Sequence, residues 1–141
     1  MIDPSGLNCE TTAKLQTHAN TAKAEAVLSP KQQASIQRSN DKAAAATAHN
    51  DPKLKAYHEM QAAKKERLYM GTQVDTRFKA KVDNDPDLAH LSTTPRGKVG
   101  PDVYDPKEKK YWDLTTEKDW NKGTHQDKYD ADFGTGTGIF W

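Results

Sequence analysis

The sequence predicts an α+β fold, with a helical N-terminal half followed by a small α-β-β-α-β core. From about residue 51 to about residue 82, apolar side chains recur every three or four positions, which is the spacing of one helix face. After about residue 98 the pattern changes to the alternation that is typical of β-strands. Only 34% of the 141 residues are hydrophobic and the mean hydropathy is −1.00, so we expect a small core.

The N-terminal part is predicted to be a separable lead segment. Residues 1–9 are turn-like, because they are rich in residues that interrupt helices and strands. Residues 10–50 are rich in Ala, Gln, Lys, Thr and Asn, and Ser29-Pro30 is typical of a helix start, which predicts a helix over residues 30–48. Since the apolar face of this segment is mostly alanine, which buries little surface, we expect weak packing.

A second helix start at Asp51-Pro52 marks the beginning of the C-terminal domain, residues 51–141. The strongest helical pattern of the chain runs from there to about residue 82. Gly71 interrupts this pattern, and we expect it to kink or divide the helix.

The rest of the domain is predicted to contain three strands and one more helix. In chain order these elements are strand, strand, helix and strand, over residues 99–104, 111–115, 117–131 and 139–141. Trp120 and Tyr129 are the expected anchors of the helix. The glycine-rich stretch 133–138 lacks the Gly-Lys-Ser/Thr ending of a phosphate-binding loop, so it predicts a tight turn.

Two aspartates are expected to meet on the first two strands. A symmetric hairpin around the loop 105–110 places Tyr104 opposite Tyr111 and Asp102 opposite Asp113, with Cβ atoms about 4.5–5.5 Å apart. Two ionised carboxylates this close repel each other, so either one is protonated or a cation lies between them. Oxygen ligands favour Mg²⁺ or Mn²⁺. Spacing alone equally allows a structural role, with Asp113 paired to a lysine.

The same residues resemble a nuclease motif. Pro101-Asp102, then ten intervening residues, then Asp113-Leu114-Thr115 resembles the PD-(D/E)xK motif. The resemblance implies a restriction-endonuclease-like α-β-β-(β)-α-β core, two acids that bind the metal and a lysine that positions or activates water. Thr115 stands at the lysine position here, and some members of the superfamily carry this lysine on another element. The candidates for a displaced lysine are Lys98, Lys118 and Lys128.

Further site residues follow from this resemblance. Such folds often supply a third acid from the helix before the strands, and Asp75 or Glu66 could serve. Asp75 is favoured because of its apolar neighbours in residues 71–79, whereas Glu66 also fits a solvated helix pair. His125 and Lys128 share a helix face and could approach a scissile phosphate as acid or base and as cation. The alternative is an exposed polar helix face.

A second resemblance concerns the start of the chain. The stretch "IDPSGL", residues 2–7, resembles the DPxGL motif that ends the core of Rhs-repeat proteins, directly before a variable C-terminal toxin. Residues 71–79 and 112–136 also resemble patterns of polymorphic toxins. The resemblance implies that residues 1–9 end an Rhs core and that the chain is a secreted effector acting in the cytoplasm of a target cell. The implied partners are a nucleic acid substrate, a cognate immunity protein and the Rhs core shell.

Bulk composition narrows the possible functions. The net charge of +1 gives no global basic field, so nucleic-acid binding needs a local patch. Cys9 is the only cysteine, which excludes an intrachain disulfide, and no apolar run reaches the roughly 20 residues that span a membrane.

The leading interpretation is a metal-dependent nuclease toxin that acts on DNA rather than RNA. The alternatives are a metal-independent RNase that uses His125 and Lys128, and a non-enzymatic module that binds a partner.

Overall fold

The structure, a computed structural model, describes residues 4–141, and side chains from residue 9 onward. The helices are α1 (Pro4–Glu25), α2 (Pro30–Ala48), α3 (Pro52–Asp83), α4 (Glu117–Asn121) and α5 (Thr124–Phe133), with a 3-10 helix at Pro86–Leu88. The strands are β1 (Ser92–Thr93), β2 (Val103–Asp105), β3 (Lys110–Thr115) and β4 (Thr135–Phe140). The predicted α+β class is confirmed, with a small four-stranded mixed sheet after the long helices. Of the described helices, none has the length and apolarity needed to cross a membrane.

The chain forms two compact units whose boundaries differ from the predicted ones. Residues 4–25 and 74–141 form the first unit, and residues 26–73 form the second. The sequence placed a boundary at residue 50, with residues 10–50 as one lead segment. The structure instead assigns α1 to the unit that contains the sheet.

Helix α1 belongs to the sheet unit because it buries a stripe of small and apolar side chains. Leu15, Ala19 and Ala22 are fully buried, and their spacing places them on one helix face. The side chain of Gln16 exchanges hydrogen bonds of 2.6 and 3.1 Å with the backbone of Phe140 in β4. Alanine buries little surface itself but allows close approach of a neighbouring element, so the expectation of weak packing is wrong for α1.

The prediction of a turn-like start is corrected for residues 4–9, which begin α1. Pro4 is the first residue of this helix, a position where proline is tolerated because the missing N–H would have no partner there. Residues 1–3 lie outside the described residues, and Asp3 of the DPxGL motif is one of them.

The second unit contains α2 and the first part of α3. Helix α2 has the predicted bounds, and Ser29 caps it: its hydroxyl accepts a hydrogen bond from the N–H of Gln32, whose side chain accepts one from the N–H of Ser29. The hydroxyl of Tyr69 in α3 donates to the hydroxyl of Ser35 in α2 at 2.9 Å. Buried side chains in α2 are small, namely Ser39, Ala43 and Ala46.

Helix α3 is continuous through Gly71, so the expected division at this glycine is wrong. The predicted start is confirmed, since the carboxylate of Asp51 accepts a hydrogen bond from the N–H of Leu54 at 3.0 Å. The end of the helix belongs to the first unit, and its buried residues there are Val74, Phe78 and Val82.

The sheet has the strand order β1-β2-β3-β4, with β4 parallel to β3 and the other pairs antiparallel. Tyr104 lies opposite Tyr111, which confirms the predicted hairpin register. Strand β2 begins only at Val103, so it is shorter than the predicted residues 99–104. The terminal strand is longer than predicted, because residues 135–138 pair with β3 instead of forming a tight turn.

Side chains of the central strand β3 alternate between two helical layers. The indole N–H of Trp112 donates to the hydroxyl of Thr12 in α1 at 3.0 Å. The hydroxyl of its neighbour Tyr111 donates to the carboxylate of Asp130 in α5 at 2.5 Å. Helix α1 therefore covers one face of the sheet, and α5 covers the other.

The predicted helix over residues 117–131 is divided at Gly123, whose φ of 79° is a left-handed conformation that favours glycine. The result is the separate helices α4 and α5. The ring centroids of Trp120 and Tyr129 lie 6.4 and 5.8 Å from that of Tyr111. Both expected anchors thus pack against the same buried ring.

Candidate active site

Asp102 and Asp113 meet at the open end of the β2–β3 hairpin, as the register predicted. The backbone N–H of Asp102 donates to Oδ1 of Asp113 at 2.9 Å, and the backbone N–H of Leu114 donates to Oδ2 of Asp102 at 2.7 Å. Asp113 is buried, with 3% of its surface exposed. Each carboxylate is therefore held by the backbone of the opposite strand.

Lys79 on α3 joins this pair, and the sequence interpretation did not select it. Its Nζ lies 3.1 Å from Oδ1 of Asp102 and 3.1 Å from Oδ1 of Asp75, one helical turn earlier. Only 14% of the Lys79 side chain is exposed. The i,i+4 spacing of Asp75 and Lys79 within residues 71–79 was the available signal, since such pairs lie on one helix face.

His125 on α5 completes the group. Its Nδ1 lies 2.5 Å from Oδ2 of Asp113, and its ring centroid lies 5.8 Å from that of Trp120. When Asp113 is ionised, Nδ1 carries the donated hydrogen, and Nε2 remains for proton transfer. We call Asp75, Lys79, Asp102, Asp113 and His125 together the acidic site.

Negative charge is in excess in the acidic site. Burial raises the pKa of Asp75 above its usual range, and the neighbouring charge of Asp102 raises it further. Burial, followed by the charge of Asp113, likewise raises the pKa of Asp102, although Lys79 opposes both shifts. Burial lowers the pKa of Lys79, but the carboxylates of Asp102 and Asp75 outweigh this effect and raise it. Asp75 and Asp102 thus share one ammonium group, and Asp113 adds a third carboxylate next to Asp102.

Several predicted site residues lie outside this group. Thr115 is buried in β3 on the same strand face as Asp113. Lys118 is exposed on α4. Lys128 is exposed on α5, with its ammonium 5.3 Å from the ring centroid of Tyr129.

Two further candidates also lie elsewhere. Lys98 is exposed in the loop before β2. Glu66 is exposed on the part of α3 that belongs to the second unit. The acidic site therefore brings together the predicted Asp75, Asp102, Asp113 and His125 with Lys79, whereas the three candidate lysines lie outside it.

The donor set fits a hard divalent cation that is also held by water and substrate. Among the side chains of residues 9–141, no group of three or more His, Cys, Asp and Glu is arranged to hold a metal ion. Mg²⁺, however, usually keeps several waters and is bound by one or two carboxylates together with substrate phosphates. Asp102 and Asp113 supply two carboxylates, and each oxygen that accepts one hydrogen bond keeps a second acceptor position.

Tyr111 is a residue of β3 that contacts α5 next to the acidic site. It is fully buried and lies two residues before Asp113, on the same face of β3. Burial raises its pKa, and the hydrogen bond to Asp130 raises it further, so the hydroxyl stays protonated and acts as a donor.

No protein-family model, curated protein or solved structure matches this chain.

Proposed function

We propose that the chain is a metal-dependent nuclease toxin of the Rhs type, which hydrolyses phosphodiester bonds in DNA rather than RNA. The observation that carries this proposal is the charge of the acidic site. Lys79 is paired with Asp75 and Asp102, while Asp113 contacts His125, so three ionised carboxylates leave two negative charges uncompensated when His125 is neutral. A divalent cation neutralises this excess.

The order of the elements supports the same proposal. Helix α3, strands β1 to β3, helix α5 and strand β4 follow the α-β-β-(β)-α-β order of restriction-endonuclease-like nucleases. The three acids lie on α3, directly before β2 and within β3, where the resemblance to the PD-(D/E)xK motif requires them.

In the proposed site, Asp102 and Asp113 hold Mg²⁺ or Mn²⁺, with Asp75 completing the set of acids. A metal held by these acids would supply a water of lowered pKa and would neutralise charge that develops on the phosphate. Lys79 takes the role of the motif lysine, because its ammonium lies 3.1 Å from Asp102 while Thr115 carries no charge.

His125 exchanges protons in this scheme. Asp113 fixes its Nδ1, which orients the ring and leaves Nε2 to take or give a proton. The imidazole is partly exposed, at 29%, so that substrate can reach it.

A metal-independent RNase is the second candidate, and the Asp113–His125 contact of 2.5 Å favours it. A carboxylate that orients a histidine is sufficient for acid–base chemistry without metal. In this case Lys79 and not Lys128 supplies the cation, because the Lys128 ammonium lies over the ring of Tyr129.

The proposed toxin role implies two protein partners. The cell that makes the chain needs a cognate immunity protein, and an Rhs core shell carries the toxin to the cytoplasm of the target cell. The resemblance of residues 2–7 to the Rhs junction supports both partners. Strong cytoplasmic expression without an immunity protein is expected to stop bacterial growth, and unhindered growth would contradict toxicity.

Incubation of the purified chain with plasmid DNA and with total RNA, in Mg²⁺ or in EDTA, tests the proposal. We expect Mg²⁺-dependent cleavage of DNA, no cleavage in EDTA, and no cleavage by the Asp113→Asn variant. RNA cleavage that persists in EDTA would select the RNase alternative. Absence of cleavage under every condition would contradict both candidates.

A further inference from the structure

The glycine-rich stretch of β4 pairs with the part of β3 that carries Asp113 of the acidic site. Gly136 pairs with Tyr111 and Gly138 pairs with Asp113. A Cβ atom at Gly136 would lie 2.1 Å from Cζ of Tyr111, and a Cβ atom at Gly138 would lie 2.5 Å from the ring of Phe140 and 2.9 Å from that of Trp120. The two glycines thus form a notch that only residues without a Cβ atom can provide.

Tyr111, whose ring lies against Gly136, also contacts α5. The hydroxyl of Tyr111 donates to Oδ1 of Asp130 at 2.5 Å and lies 3.5 Å from the backbone carbonyl oxygen of His125. Both acceptors belong to α5, more than one helical turn apart. One hydroxyl on the sheet therefore fixes this helix at two positions.

The second ring in the notch contacts the histidine itself. The ring centroid of Trp120 lies 5.8 Å from that of His125. The backbone carbonyl of Trp120 also accepts a hydrogen bond from the side chain of Gln126 at 3.3 Å. His125 is thus held by Trp120 as well as by Asp113.

We propose that Tyr111, Gly136 and Gly138 are positioning residues, which fix α5 so that Nδ1 of His125 meets Asp113. The inference rests on the proposed function, in which His125 transfers a proton. None of the three residues needs to touch the substrate, since they act through the placement of His125. The proposal also gives a role to residues 133–138, which do not form a phosphate-binding loop.

The Tyr111→Phe variant tests the hydroxyl while the ring stays in the notch. We expect kcat to fall roughly 10–100-fold, because small displacements of a reacting group have effects of this size. KM should stay unchanged, since uniform substrate binding is not altered. Two variants of Asp130, the exposed residue that accepts the hydrogen bond of the Tyr111 hydroxyl, provide a matched comparison. Asp130→Asn keeps an acceptor and should keep kcat, whereas Asp130→Ala should lose it like Tyr111→Phe.

A proton NMR signal provides a readout that does not depend on activity. The hydrogen-bonded Nδ1 proton of His125 is assigned by its loss in His125→Gln, which distinguishes it from the other four histidines. We expect this signal to shift or broaden in Tyr111→Phe, in Gly136→Ala and in Asp130→Ala, and to stay in place in Asp130→Asn.

The outcomes separate this inference from the proposed function. An unchanged His125 signal in a folded Tyr111→Phe variant overturns the inference, whatever the activity. If the wild type cleaves no nucleic acid, the proposed function fails, and the NMR comparison alone decides the positioning role. If Tyr111→Phe does not fold, Asp130→Ala takes its place, and a wild-type signal in that variant overturns the inference.

Discussion

Two groups of aspartates in the same compact unit have opposite electrostatic surroundings. Asp85, the cap of the 3-10 helix, lies 2.8 Å from Nε2 of His18 and 3.2 Å from Nζ of Lys14. The hydrogen bond with His18, followed by further hydrogen bonds including one from Lys14, lowers the pKa of Asp85 to about 2. In the acidic site, burial and the neighbouring carboxylates instead raise the pKa values of Asp75 and Asp102.

This difference indicates which group is structural. A lowered carboxyl pKa means that the ionised group stabilises the folded state at neutral pH, and a raised pKa means that ionisation costs stability. We therefore interpret the Asp85 group as a contact that holds α1 against the 3-10 helix, and the acidic site as an arrangement for a ligand.

The largest expected effect comes from removing α1, which carries both partners of Asp85. A fragment of residues 50–141 lacks Lys14, His18 and the fully buried Leu15, a side chain whose burial contributes about 1.5–3 kcal/mol by itself. We expect this fragment to lose cooperative unfolding in circular dichroism and to be inactive. A folded and active fragment would show that α1 is dispensable and that the boundary predicted at residue 50 is correct.

The second prediction contrasts one acid from each group. Asp113→Asn should lower nuclease activity by at least about 100-fold, because the variant loses a metal-binding charge and the partner that orients His125. Asp85→Asn should keep the activity of the wild type. Rates of plasmid cleavage measure both effects, and Glu66→Gln on the second unit serves as a further control. Equal losses in Asp113→Asn and Asp85→Asn would remove the distinction between the two groups.

The third prediction contrasts the two lysines. Lys79→Met should lower kcat roughly 100-fold or more, since it removes the cation that the proposed mechanism uses next to Asp102. Lys14→Met removes a lysine that contacts Asp85 and Asp87 at the surface, and should leave kcat unchanged. Steady-state kinetics on plasmid DNA at saturating Mg²⁺ compare the two. If activity depends on Lys118 or Lys128 and not on Lys79, the displaced lysine is wrongly assigned.

The smallest expected effect is a difference in the pH dependence of stability. The folded-state pKa of Asp102 is raised above the usual carboxyl value. Ionisation of Asp102 therefore lowers the free energy of unfolding as the pH rises from the usual carboxyl pKa through the raised one. Asp102→Asn should therefore be at least as stable as the wild type at pH 7. Asp85 contributes stability above the usual carboxyl pKa that is lost as pH falls toward about 2, so Asp85→Asn should be less stable at neutral pH. Thermal unfolding of both variants at neutral and acidic pH measures these opposite signs.

The local features of the fold could be predicted from the sequence. The caps at Ser29 and Asp51 follow from short-range hydrogen bonding, and the hairpin register follows from the symmetric loop 105–110. That register brings Asp102 next to Asp113, so the centre of the site was predictable without knowledge of tertiary packing.

The remaining features depend on contacts between distant segments. The role of Lys79 depends on where α3 lies against the hairpin, which spacing along the helix does not determine. Residues 135–138 resemble a turn because of their glycines, but the rings of Tyr111 and Trp120 require those glycines within a strand. Helix α1 was predicted within the lead segment because its buried face is largely alanine, which gives a weak apolar pattern.

Calorimetric titration with Mn²⁺ tests most directly whether the excess negative charge of the acidic site takes a divalent cation. The wild type and the Asp102→Asn/Asp113→Asn double variant are compared at neutral pH, with Asp85→Asn as the control for a general loss of negative charge. We predict one bound ion per chain for the wild type and for Asp85→Asn, and none for the double variant. No binding by the wild type at millimolar Mn²⁺, or equal binding by the double variant, would contradict the account.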